Sequence, residues 1–154
     1  MTKLSLSSMV VFFLITLTFI WYPVFDAYCA DNKDVSEASK LLQLARENMS
    51  AGNLDASIEY LNKAISLDDK NSYAYVGLGN AYTQKNEPDK AVEYFNKAIS
   101  LDSKNPFAYF NLGLSYLSLN KREDALKMYN ILKDLDGSLA DKLKQQMQLS
   151  DESK

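Results

Sequence analysis

Between residues 35 and 148 the apolar positions fall at helical spacing and polar residues fill the gaps. Tyr75, Leu78, Gly79 and Tyr82 stand at i, i+3, i+4 and i+7, which puts them on one stripe of a helix. Val92, Phe95, Ala98 and Ile99 give the next segment a similar stripe. Near the end, Leu139, Leu143 and Met147 lie at i, i+4 and i+8, with Asp141, Lys142, Lys144, Gln145 and Gln146 on the other side. Boundary signals accompany the stripes. Asn71 and Asn105 are good N-caps, and Pro106 suits a first helical turn. Asn53 and Pro88 mark turns, and Asp34 with Glu37 has the spacing of a capping box. Together these predict an all-α chain with helices near 35–51, 55–68, 72–85, 88–101, 106–119, 122–134 and 138–148, and a frayed tail over 149–154.

The pattern repeats itself at a period of 34 residues. SIEYLNKAISLDDKN (Ser57–Asn71) and AVEYFNKAISLDSKN (Ala91–Asn105) agree at eleven of 15 positions. One period further on, Tyr75/Tyr109, Leu78/Leu112, Gly79/Gly113, Tyr82/Tyr116 and Ala91/Ala125 pair. A fixed period of this length means stacked supersecondary units in place of one irregular core. Gly79 and Gly113 sit mid-helix, where glycine costs about 1 kcal/mol relative to alanine. Their recurrence predicts a close approach of neighbouring helices, with Ala91 and Ala125 as the small counterparts.

At these residues the chain resembles the tetratricopeptide repeat (TPR) family, whose 34-residue helix–turn–helix carries an aromatic, Leu-Gly, Tyr, then Ala and an aromatic. Tyr75, Leu78-Gly79, Tyr82, Ala91, Phe95 and Ala98 carry the pattern once, and Tyr109, Leu112-Gly113, Tyr116, Ala125 and Tyr129 carry it again. A degenerate copy precedes them, with Leu41, Ala45, Asn48 and Ser57 at the motif positions. The late Pro of the family is absent: Asp69, Ser103 and Gly137 stand there. The resemblance implies a right-handed TPR superhelix of three helix–turn–helix repeats, at 38–71, 72–105 and 106–139, closed by a capping helix and tail at 140–154.

Ahead of the repeats the pattern is different. Leu4–Phe25 runs for 22 residues without a charge, and its strongly apolar part, Met9–Tyr22, spans 14. Lys3 precedes the run, and Pro23 and Ala27-Tyr28-Cys29 follow it. This is the order of a secretory signal peptide, with an apolar core of roughly 7–15 residues and a small-residue exit. Residues 1–29 are read as the leader, cut after Cys29, and 30–37 as a short linker and helix start. Two other fates remain open. One is an uncleaved membrane anchor, which needs about 20 apolar residues and reaches that length only by counting Ser5, Ser7, Ser8 and Pro23. The other is acylation at Cys29, although Asp26 and Tyr28 depart from a bacterial lipoprotein signal. Each places residues 31–154 outside the cytoplasm, in a periplasm or the extracellular space, free or tethered.

Composition narrows the chemistry. Histidine is absent and Cys29 is the one cysteine, which removes imidazole bases, His-dependent metal sites and intrachain disulfides. Lys+Arg is 17 against Asp+Glu 20, a net charge of −3 without the basic excess of a nucleic-acid binder. Lys121-Arg122 is a lone basic pair in a turn. Glu59/Glu93 and Asp68/Asp102 recur at the repeat period, so they occupy equivalent surface positions and do not converge on one point. Asp68-Asp69 and Asp102 lack the ligand loop of a Ca²⁺ site, and no Gly-rich phosphate loop occurs. The expectation is a non-enzymatic protein with no catalytic residue, metal, cofactor or small-molecule substrate.

Binding is the function that the resemblance implies. In the TPR family the first helix of each repeat lines a concave groove. Carried onto this sequence, the groove positions are Leu42, Arg46 and Met49; Tyr73, Val76, Asn80 and Thr83; and Phe107, Phe110, Asn111, Leu114 and Leu117. Phe110 is the aromatic expected to stay clear of the capping helix, whereas Phe107, Leu114 and Leu117 are open to either fate. Asn80 and Asn111 have the spacing of the two amides in the family's carboxylate clamp, but Val76, Phe107 and Asp141 stand where its cations would be needed. The implied partner is a protein or peptide, with nucleic acid excluded and a membrane met only through the N-terminal segment.

Overall fold

The computed structural model describes residues 35–152. Expectations for the leader, Cys29, the anchor and the Asp34–Glu37 capping box lie outside the described residues. One compact unit begins at Glu37, and its described residues form helices joined by short turns. Helix α1 covers 35–50, followed by α2 (Leu54–Leu67), α3 (Ser72–Gln84), α4 (Pro88–Leu101), α5 (Pro106–Ser118), α6 (Arg122–Leu135) and α7 (Gly137–Glu152).

The helices begin and end for local reasons. The Asn71 side chain accepts from the Tyr73 N–H at 3.2 Å, and Asn105 accepts from Phe107 at 3.1 Å and Ala108 at 3.4 Å. These satisfy first-turn donors that have no intrahelical partner. Pro88 and Pro106 occupy first helical positions. Each intra-repeat turn carries one residue in the left-handed region: Gly52 (φ 80°), Asn86 (φ 60°) and Asn120 (φ 57°), spaced one repeat apart. Glycine pays no steric penalty there, and asparagine pays a small one. The next N–H closes back five residues, from Asn53 to Asn48, Glu87 to Tyr82 and Lys121 to Tyr116, at 2.8–2.9 Å. This is the Schellman ending of a helix, used three times in register.

Packing follows the predicted stripes. Leu61 and Phe95 occupy the same position of successive repeats, and each faces a glycine of α3. A Cβ on Gly77 would lie 2.5 Å from Leu61 Cδ2, and one on Gly79 would lie 2.6 Å from Phe95 Cδ1 and Cζ. Gly113 receives Leu143 of α7, with Cδ2 2.6 Å from where its Cβ would be. So the close approaches exist, but large side chains fill them. Ala91 and Ala125, the expected small counterparts, are fully buried nearby in the stack. The core runs through three clusters centred on Leu61 and Leu78, on Phe95 and Leu112, and on Leu132 and Leu143.

Departures from the motif are accommodated locally. Ser57, where the family has Ala, is fully buried, and its hydroxyl donates to the Ala45 carbonyl at 2.8 Å. Buried Asn105 also donates through Nδ2 to the Ser72 hydroxyl at 3.0 Å, tying the start of α5 to the start of α3. The expected frayed tail is corrected: α7 continues to Glu152. Arg122 Nη1 donates to the Met147 carbonyl at 2.9 Å and to Ser150 Oγ at 3.4 Å, holding the last turns against α6. Leu139, Leu143 and Met147 are buried as the apolar stripe predicts, so α7 caps the stack.

Candidate binding groove

The A-helices α1, α3 and α5 each turn one stripe into a shared concavity. On α1 the stripe is Leu42, Arg46 and Met49; on α3 it is Tyr73, Val76, Gly77 and Asn80; on α5 it is Phe107 and Asn111. These residues line a cavity of about 280 Å³ whose floor is completed by Ala45 and Leu61. Gly77 has no side chain; Leu61 of α2 packs into that place and so forms part of the cavity wall between Tyr73 and Asn80.

Eight of the predicted groove positions, Leu42, Arg46, Met49, Tyr73, Val76, Asn80, Phe107 and Asn111, therefore meet in one place. Their exposure differs. Tyr73 is 56% exposed and Phe107 48%, so two aromatic rings flank the opening, one repeat apart. Val76 is 7% exposed and joins the central core cluster, contributing wall and little open surface. Arg46 is exposed at the rim, and its guanidinium has no ion pair or hydrogen bond to another described residue. The side-chain amides of half-buried Asn80 and Asn111 are likewise without a protein partner among the described residues.

Thr83, Phe110 and Leu114 do not line this cavity. Thr83 lies a turn beyond it, and its hydroxyl donates to the Gly79 carbonyl at 2.9 Å. Phe110, Leu114 and Leu117 pack against the cluster of Leu139, Leu143 and Met147. The expectation that Phe110 stays clear of the cap is thus reversed. Phe107 precedes it by three residues and faces the opening, while Phe110 is drawn under α7. Gly77, Ala45 and Leu61 were not among the expected groove positions. The available signal was Gly77 itself, a second glycine two residues before the motif glycine.

Perturbed titratable groups lie elsewhere. Lys63 donates to Glu59 at 2.6 Å, which holds the carboxyl below and the ammonium above their ordinary ranges. The Asp55 carboxylate, 2.6 Å from Lys85, raises that ammonium in the same way. Burial pushes up the Tyr94 phenol, which stacks on Tyr82 with centroids 5.2 Å apart. These are ion pairs and a ring stack between helices, not a set of acids and bases in a cleft. Among the described residues no group of three or more His, Cys, Asp or Glu is placed to hold a metal ion.

The comparisons with known proteins agree with this architecture. Three family models match, described as tetratricopeptide or TPR repeats, over residues 48–96, 79–120 and 107–136. The chain belongs to the tetratricopeptide repeat family, with the all-α superhelical fold of its domains. Among solved structures, the Arabidopsis OM64 TPR domain is similar at 17% identity and a TM-score of 0.69, with 75% of this chain and 97% of that one covered. The first TPR of Spaghetti (RPAP3), bound to the HSP90 peptide SRMEEVD, is similar at 21% identity and a TM-score of 0.69, covering 75% and 94%. The Sgt2 TPR domain from Aspergillus fumigatus gives 21% identity, a TM-score of 0.69 and coverage of 76% and 78%. No curated protein sequence matches the chain. The fold is a protein-interaction scaffold, and its family is generally non-enzymatic.

Proposed function

We propose that this protein is an exported, non-enzymatic adaptor that binds a protein or peptide segment in the groove between α1, α3 and α5. One observation carries the reading. The cavity combines two exposed aromatic rings, an apolar floor and three polar side chains, Arg46, Asn80 and Asn111, that have no partner among the described residues. Such a surface fits binding: aromatic anchors carry interface energy, and unpaired amides supply hydrogen bonds to an extended backbone. The peptide held by the RPAP3 domain supports the idea that this fold accommodates a peptide, though the likeness at 21% identity speaks for the fold alone.

The test uses a partner isolated with the full chain from envelope extract, identified by mass spectrometry and then titrated as a purified protein. Tyr73→Ala and Phe107→Ala should each weaken binding roughly thirtyfold, equivalent to about 2 kcal/mol for an interface anchor, with helical content unchanged. Lys63→Glu and Lys97→Glu, on the outer helices α2 and α4, should leave affinity within about twofold. Loss of binding in the lysine variants, with the aromatic variants intact, would move the partner to the convex face.

Export rests on residues 1–29: Lys3, the Met9–Tyr22 run and the Ala27-Tyr28-Cys29 exit support cleavage. The 22 uncharged residues of Leu4–Phe25 also favour a second reading, a membrane-tethered assembly factor with the same groove. Intact-mass measurement of protein recovered from cells decides between them. A mature N-terminus at Ala30 or Asp31 is the expected result; retention of Met1 or the leader gives the tether.

A further inference from the structure

We infer that the groove selects an internal peptide segment in which one apolar side chain sits next to an Asp or Glu: the apolar group enters the cavity between α1, α3 and α5, and the carboxylate meets Arg46. This inference rests on the proposed groove binding and adds the chemistry of the ligand.

Arg46 is the one charged residue among the eleven that line the cavity. It shares a helical stripe with Leu42 and Met49, at i, i+4 and i+7, and so faces the groove. The neighbouring acid, Glu47, lies one residue on. Its carboxylate accepts from Gln43 Nε2 at 3.0 Å, along a different stripe of α1. Arg46 therefore offers a guanidinium fork with no carboxylate engaged on it among the described residues. A planar five-donor cation of this kind pairs with a carboxylate through two parallel hydrogen bonds.

The floor has the opposite character. Ala45, Leu61 and Val76 are buried apolar residues, and Gly77 contributes no side chain. A cavity of about 280 Å³ has room for one or two side chains and is small for a drug-sized ligand. An apolar side chain there loses contact with water; a carboxylate there would be left without a hydrogen-bond donor. Charge belongs at the rim and apolar bulk in the floor.

That division also chooses between two sources of carboxylate. A chain terminus carries its charge at the end of the backbone and would have to stop beside Arg46. A segment that runs on past the cavity can place a side-chain carboxylate at the exposed guanidinium while its backbone passes Asn80 and Asn111. Each of these amides offers one acceptor and two donors, the complement of a peptide unit. The absence of a cation at Val76, Phe107 and Asp141 leaves Arg46 to match one side-chain carboxylate.

A random heptapeptide library fused to a phage coat protein through its C-terminus provides the probe, because it presents no free peptide carboxylate at that end. Selection on the immobilised full chain should enrich sequences with Leu, Ile, Met or Phe beside Asp or Glu. Synthetic peptides from that pool, amidated at the C-terminus, should bind Arg46→Glu at least tenfold more weakly, and Arg46→Lys should retain part of the affinity. Selection on Arg46→Glu should lose the acidic preference. Selected peptides that lack Asp and Glu, or an acidic preference that survives Arg46→Glu, would overturn the inference. If their binding still falls with Tyr73→Ala and Phe107→Ala, the groove reading stands without it. Binding only by peptides with a free C-terminus would assign Arg46 to a chain end and also overturn it. Peptides insensitive to Tyr73, Phe107 and Arg46 alike, or no enrichment from either kind of library, would sink both readings.

Discussion

Phe95→Ala should lower the unfolding free energy of this protein by about 3–5 kcal/mol, the usual cost of deleting a buried aromatic ring. Phe95 is fully buried and stands at the centre of the cluster formed with Ala91, Ala98, Val76, Ala108 and Leu112. Three of its five buried neighbours in that cluster are alanines, short side chains fixed to helix backbones that have little reach to fill the space. The ring also lies against Gly79, where there is no side chain at all. Poor collapse places the site toward the upper end of the range, because the residual cavity adds to the lost transfer energy. Urea unfolding followed by far-UV circular dichroism measures it. A loss below about 1 kcal/mol, the average effect of an arbitrary substitution, would mean that the middle of the stack is not closely packed.

Gly79→Leu probes the same contact from the other side. A Cβ at residue 79 already falls 2.6 Å from two carbons of the Phe95 ring, before any longer side chain is considered. A ring held on every side cannot retreat as the tip of a flexible side chain could. Leucine gains about 1 kcal/mol in helix propensity over glycine, yet overpacking costs typically 1–3 kcal/mol and occasionally more. The net expectation is destabilisation of about 1 kcal/mol, read as a lower thermal midpoint. A midpoint equal to that of the unaltered protein would show that α3 and α4 separate without cost. The two variants share one contact, so their effects should not add, and a double-mutant cycle would expose the coupling.

Most of the architecture was legible because its signals are local. Asn71, Asn105, Pro88 and Pro106 set helix starts within the few residues that carry them, and the 34-residue period fixes which stripes face inward. What was not legible depends on residues far apart. The extra turn of α7 rests on Arg122, 25 residues before its acceptor Met147. Phe107 and Phe110 are both aromatic residues at groove positions of one helix. Only the path of α7 decides that the second is covered and the first is not. The groove itself was readable as a set of positions, since Arg46, Asn80 and Asn111 follow from the repeat register. Its depth was not, because a pattern of side chains says nothing of a gap. Gly77 admits the Leu61 side chain, and Leu61 joins the cavity wall only once α2 is packed behind α3.

The hydrogen bond from Asn105 to Ser72 makes the two joints of the stack unequal. The corresponding residues one period earlier are Asn71 and Ala38, and alanine offers no hydroxyl, so Asn71 caps its own helix and nothing more. In a solenoid the coupling between neighbours governs how stiffness is distributed along the axis. Repeats two and three, which carry Asn80 and Asn111, are tied at their joint by a buried side-chain hydrogen bond. Repeat one, bearing Arg46, is tied to repeat two by the Lys85–Asp55 ion pair, whose Asp55 end is exposed to solvent. Salt screens such an exposed pair and leaves a buried neutral hydrogen bond untouched, so the two ends of the groove answer differently to the ionic medium.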